Sequence, residues 1–112
     1  MLIAGSFKAT IKGCSVVYYI ASLFLIKNKI RDSRKEVVKP ALKETQNILD
    51  TIQKYETIRL IILTLSVAAI FSDNIDILGI KNKTLSSEYF NTSSSITYNA
   101  YLFSKVITKK EA

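Results

Sequence analysis

The sequence predicts an all-α protein in which two apolar helices, taken to span a membrane, are joined by a basic loop and a long amphipathic helix. A short C-terminal helix or strand completes it. Three observations lead there: two uncharged blocks at 13–26 and 60–72, apolar spacing of three and four residues at 38–55, and a cluster of basic residues directly after the first block.

The first element, placed at 13–28, is built on a 14-residue uncharged run that includes Val16, Val17, Tyr18, Tyr19, Leu23, Phe24, Leu25 and Ile26. Its apolar residues fall on every side of a helical wheel, as in a helix that meets hydrocarbon or protein all round. A bilayer span takes about 20 residues, so the run needs flanking help, which Lys12 and Lys27 supply by snorkelling. Cys14 reads as a small hydrophobe in a packed helix, with palmitoylation as the sharper alternative.

Between 27 and 43 lie Lys27, Lys29, Arg31, Arg34, Lys35, Lys39 and Lys43 against Asp32 and Glu36, which is +5 of the chain's +7. The positive-inside rule then puts 27–59 on the cytoplasmic or matrix side of a bacterial inner membrane, an organelle inner membrane or a virion membrane. Lys27, Lys29, Arg31, Arg34 and Lys35 are the expected contacts to anionic phospholipid. Nucleic acid is not expected as a partner, because aromatic residues that would stack on bases are not interleaved with these charges.

An amphipathic helix follows at 33–57, with Ser33 and Glu36 spaced as a capping box and Pro40 favouring a start near Lys39. Its apolar stripe, Val38, Leu42, Ile48, Leu49, Ile52 and Tyr55, is the expected docking face for a partner protein, since its charged face is too mixed in sign for a lipid-surface helix. Without Gly or Pro after Thr57 the helix is expected to run on into the second apolar element, 58–74. Asp73 and Asp76 then end that helix, an ion-handling carboxylate pair being the alternative.

The polar segment 84–112 opens on a Ser-, Thr- and Asn-rich loop. Ile96, Ala100, Phe103 and Ile107 then recur at helical spacing, with Lys105, Lys109 and Lys110 complementing the helix dipole. Tyr18, Tyr19, Tyr89, Tyr98 and Tyr101 suit interfaces, where the ring is buried and the hydroxyl stays wet. The triplets at Asn82 and Asn91 match the glycosylation pattern, a weak signal in so polar a stretch.

At 112 residues there is room for one domain. No histidine, one cysteine and three glycines exclude zinc sites, His-based triads and a glycine-rich phosphate cradle. No catalytic, cofactor-binding or metal-binding residue is therefore expected, and no cofactor. The function this predicts is a non-catalytic accessory or structural subunit of a larger membrane complex, respiratory, photosynthetic, secretory or viral. Its partners would be the other subunits, anionic phospholipid and, at most, copies of itself. One alternative is a small self-associating pore-forming or phage protein, packing through Thr64, Ser66, Ala68, Ala69 and Ser72. Another is a soluble helical adaptor within an oligomer.

Overall fold

The structure, a computed structural model, describes residues 3–20 and 30–112. Its organising feature is a parallel pair of strands, β1 (Val16–Tyr19) and β2 (Leu60–Leu63). Val16, Val17, Tyr18 and Tyr19 pair in register with Leu60, Ile61, Ile62 and Leu63. Arg59 N–H donates to the Ser15 carbonyl at 2.8 Å and Thr64 N–H to the Tyr19 carbonyl at 3.0 Å, which prolongs the ladder at both ends.

These strands correct the all-α, membrane-spanning reading. The block expected as a helix over 13–28 contains β1, and its residues 21–29 lie outside the described residues. The block expected over 58–74 contains β2, then a 3-10 turn at Val67–Ala69. The physical reason is that a parallel strand reads as a short continuous apolar run, which periodicity alone does not separate from a buried helix. Their β-branched and aromatic content, Val16-Val17-Tyr18-Tyr19 and Ile61-Ile62, suits a pleated ribbon. No helix among the described residues is long and apolar enough to cross a membrane.

The crossover that a parallel pair requires runs through α2 (Lys39–Ile52), with Pro40 in its first turn. A π-type turn, Arg34–Val38, leads into it. Asp32, not Ser33, caps this entry: Oδ1 accepts from Arg34 N–H at 3.1 Å and Lys35 N–H at 3.0 Å. Glu36 answers by accepting from the backbone of Asp32 and Arg31. The uninterrupted helix expected from Lys39 into the second block stops at Ile52. Tyr55 N–H turns back to the Ile52 carbonyl at 2.9 Å, and the Tyr55 hydroxyl donates to the Lys8 carbonyl at 3.2 Å.

Ile48 and Ile52 of α2 meet Ile11, at the end of α1 (Lys8–Ile11), and Tyr19 of β1 in the core; Val17, Leu49, Tyr55, Ile61 and Leu63 close around them. Buried Asn47 ties the N-terminal turn to the same helix, accepting from Gly5 N–H at 2.9 Å and donating to the Ile3 carbonyl at 2.9 Å. Beyond β2 the chain makes a short α3 (Ile75–Leu78) and a long loop, then ends in α4 (Ala100–Glu111), which packs against α2. Gln46 and Glu111 hydrogen-bond across that contact at 3.0 Å. Asn99 turns the chain into α4 with φ of 56°, a left-handed conformation that asparagine tolerates.

Candidate active site

The residues that come together do so where α4 passes the carboxyl ends of both strands. Ala112 shares a cavity with Ile61 and Leu63, and Thr108, one turn earlier, lines another with Leu63, Thr64 and Leu65. Lys105 and Tyr101, on the next two turns of the same face, therefore stand past the strand ends, the place where open parallel sheets bind ligands.

Tyr101 and Lys105 are four residues apart, and the Lys105 ammonium sits 4.9 Å from the centre of the Tyr101 ring. Lysine is among the residues least often buried, and Lys105 is only 4% exposed. Burial pushes its ammonium down from the usual lysine range, and the Glu44 carboxylate of α2 works against that push. Glu44 is itself buried, at 7% exposure. On the same side Tyr19 is pushed up, first by burial and then by Glu44, with a hydrogen bond to Thr45 opposing both. Ser104 holds the helix turn between the two by donating to the Tyr101 carbonyl at 2.6 Å.

Tyr101 opens on a cleft of roughly 390 Å³ bordered by Ile30, Ser33, Thr97, Asn99 and Leu102. Another hydroxyl belongs to the same end of the sheet. Ser66 follows β2 and caps the 3-10 turn at Val67–Ala69, its Oγ accepting from Ala68 N–H at 3.2 Å. That turn packs on α4. Asn91 fastens it from the far side, its Nδ2 donating to the Ala68 carbonyl at 2.8 Å and its N–H to the Ala69 carbonyl at 3.1 Å. At 4% exposure Asn91 offers no amide to a sugar. A phenol with an ammonium against its ring and a hydroxyl nearby is proton-transfer equipment.

Of the residues expected to dock a partner, Val38, Ile48 and Ile52 are buried within this chain, and Leu42, Leu49 and Tyr55 are half-buried. Ile48, Leu49, Ile52 and Tyr55 share one cluster. Among the expected lipid contacts, Arg31, Arg34 and Lys35 are exposed, with Lys35 Nζ 3.4 Å from Asp32, and Lys27 and Lys29 lie outside the described residues. Sequence reasoning separated Tyr101, as an interface aromatic, from Lys105, as a dipole complement. The signal that joins them is the i, i+4 spacing on a helix with a polar loop before it.

Over 70 residues the chain is 34% identical to cinnamoyl-CoA reductase CAD2 of Medicago truncatula, which covers 62% of this chain and 21% of that protein. Over 109 residues it is 28% identical to the anthocyanidin reductase of Arabidopsis thaliana, covering 96% of this chain and 32% of that protein. Gre2 of Candida albicans, solved in complex with NADPH, matches with a TM-score of 0.78 at 25% identity over 97% of this chain and 34% of that one. A reductase engineered to attenuate substrate inhibition matches with a TM-score of 0.76 at 22% identity. No family model matches the chain. The chain spans about a third of the length of the relatives it matches along nearly its whole extent.

The fold is thus α/β and Rossmann-like, shared with reductases. The likeness overturns the expectation of a non-enzyme, the accessory-subunit function and its pore-forming and adaptor alternatives. The expected partners, membrane-complex subunits and anionic phospholipid, and the membrane location with 27–59 on the cytoplasmic or matrix side, are corrected with it.

Proposed function

We propose that this chain carries the proton-transfer site of a reductase that uses a nicotinamide cofactor to reduce a carbonyl group. The observation that carries this reading is the Lys105 ammonium buried against the Tyr101 ring at the carboxyl end of a parallel sheet. Resemblance to reductases, one of them solved with NADPH, supports it.

The described residues fit one end of such a cofactor. A phosphate cradle needs glycines between a strand and a helix N-terminus, and Gly5, Gly13 and Gly79 form none among the described residues. The open cleft beside Tyr101 and the hydroxyl of Ser66 fit the reacting end. When bound, the nicotinamide supplies a hydride to the carbonyl carbon. The carbonyl oxygen then needs a proton, and Tyr101 is placed to give it. Lys105 stabilises the negative charge left on the phenolic oxygen, in surroundings where burial strengthens that interaction. Ser66 orients the carbonyl oxygen through its hydroxyl.

The test is carbonyl-dependent oxidation of NADPH by the protein carrying this chain, with Tyr101→Phe as the comparison. Loss of a positioned general acid is expected to slow turnover by about 10²–10⁴-fold while substrate binding is retained. A Tyr101→Phe variant as fast as the parent would sink the reading.

A further inference from the structure

Glu44 is a buried carboxylate that the proton-transfer step above does not use. It sits on the face of α2 turned to α4, and with Tyr19, Thr45, Thr64 and Thr108 it lines a small cavity of about 10 Å³ at the strand ends. That volume is about one water molecule, and the lining offers a carboxylate and several hydroxyls, the two conditions under which a buried water is held. Thr108 lies one turn from Lys105 on the same face of α4, which puts Glu44 and Lys105 on opposite sides of the α2–α4 contact. Both are more than nine-tenths buried. A lone ion in such a place is costly, and two opposite ions facing each other relieve that cost mutually.

We propose that Glu44 is a positioning residue for Lys105: across the α2–α4 contact its carboxylate holds the Lys105 ammonium turned toward Tyr101. The inference deepens the reductase reading and rests on it for its catalytic meaning. Among the described residues, Glu44 from α2 acts on the Lys105 charge and Tyr101 of α4 lies under the ammonium. Tyr19 lines the cavity from the strand side.

The experiment follows the Lys105 ε-carbon by NMR through a pH titration of ¹³C-lysine-labelled protein, in the parent, Glu44→Gln and Glu44→Asp. Glu44→Gln keeps shape and removes charge, and is expected to lower the Lys105 midpoint by about one unit or more, a tenfold or greater change. Glu44→Asp should recover most of that shift, which a merely structural role would not produce. An unmoved midpoint in folded Glu44→Gln, or a Glu44→Asp midpoint no closer to the parent than that of Glu44→Gln, overturns the pairing. Carbonyl-dependent NADPH oxidation on the same samples separates the two ideas. A shifted Lys105 in a protein that reduces nothing keeps the pairing and removes the reductase reading, whereas an unmoved Lys105 in an active protein removes the pairing alone.

Discussion

At the scale of single residues, Asp76 shows how a carboxylate shapes the loops around the site without touching it. Its two oxygens accept from Ser72 N–H, Asp73 N–H, Thr92 N–H and the hydroxyls of Thr92 and Ser93, so one side chain joins the start of α3 to the loop at 91–94. Burial pushes its carboxyl up, but the hydrogen bonds from Ser72, Thr92 and Ser93 prevail and hold it well below the usual carboxylate range. A folded value depressed below the unfolded one stabilises the fold fully above about pH 4, and that contribution is lost as pH falls through the folded value. Asp76→Asn should therefore cost about 1–2 kcal/mol near neutral pH, after discounting for partial exposure, with the gap to the parent closing below about pH 4. Thermal melts of both proteins across that range check it; parallel curves would refute it. The sequence marks Asp73 and Asp76 as a helix end, which misses this role because the partners Thr92 and Ser93 are 16 and 17 residues away in a loop without periodicity. Tyr101 and Lys105 were each visible in the sequence, but their pairing only acquires meaning once the strand ends are placed beside them.

At the scale of elements, α2 was the legible part and the strands were not, and the difference is physical. A helix half-buried on one face writes its geometry into the sequence, so Ile48, Leu49, Ile52 and Tyr55 fall at spacings that no strand would produce. A strand of four residues such as Leu60–Leu63 leaves no such record, because every position is apolar and an apolar residue of any periodicity would do. The same stripe on α2 was expected to seek an outside partner, whereas Ile48 and Ile52 are enclosed by Ile11 and Tyr19 of this chain. Ile48→Ala should accordingly destabilise the fold by about 2–5 kcal/mol, the cost of a cavity in a packed core. Asp50→Ala, at an exposed position of the same helix, should stay within about 0.5 kcal/mol. Chemical denaturation followed by circular dichroism distinguishes them, and equal effects at both positions would show that the core is misplaced.

At the scale of the whole molecule, the sheet is covered on one face and open on the other. Val17, Tyr19, Ile61 and Leu63 turn inward against α2, while Val16, Tyr18, Leu60 and Ile62 alternate outward. Tyr18 is 65% exposed and Leu60 52%. The chain is accordingly a slab of 45 × 37 × 16 Å with a radius of gyration of 15.6 Å, above the roughly 13 Å of a compact domain of this length. Parallel sheets are found with both faces covered, so this face is one that a further layer would bury. The isolated chain should then bind an apolar fluorescent dye such as ANS while keeping its helical far-ultraviolet signal, because a contiguous patch of aliphatic and aromatic side chains stays wet. Placing charges on that face, Tyr18→Lys with Leu60→Lys, should remove more than about half of the dye enhancement and leave the melting temperature within a few degrees, since neither side chain contributes to the core. Dye binding that survives the double substitution would place the exposed apolar surface elsewhere on the molecule, and a large fall in melting temperature would mean that this face is already packed.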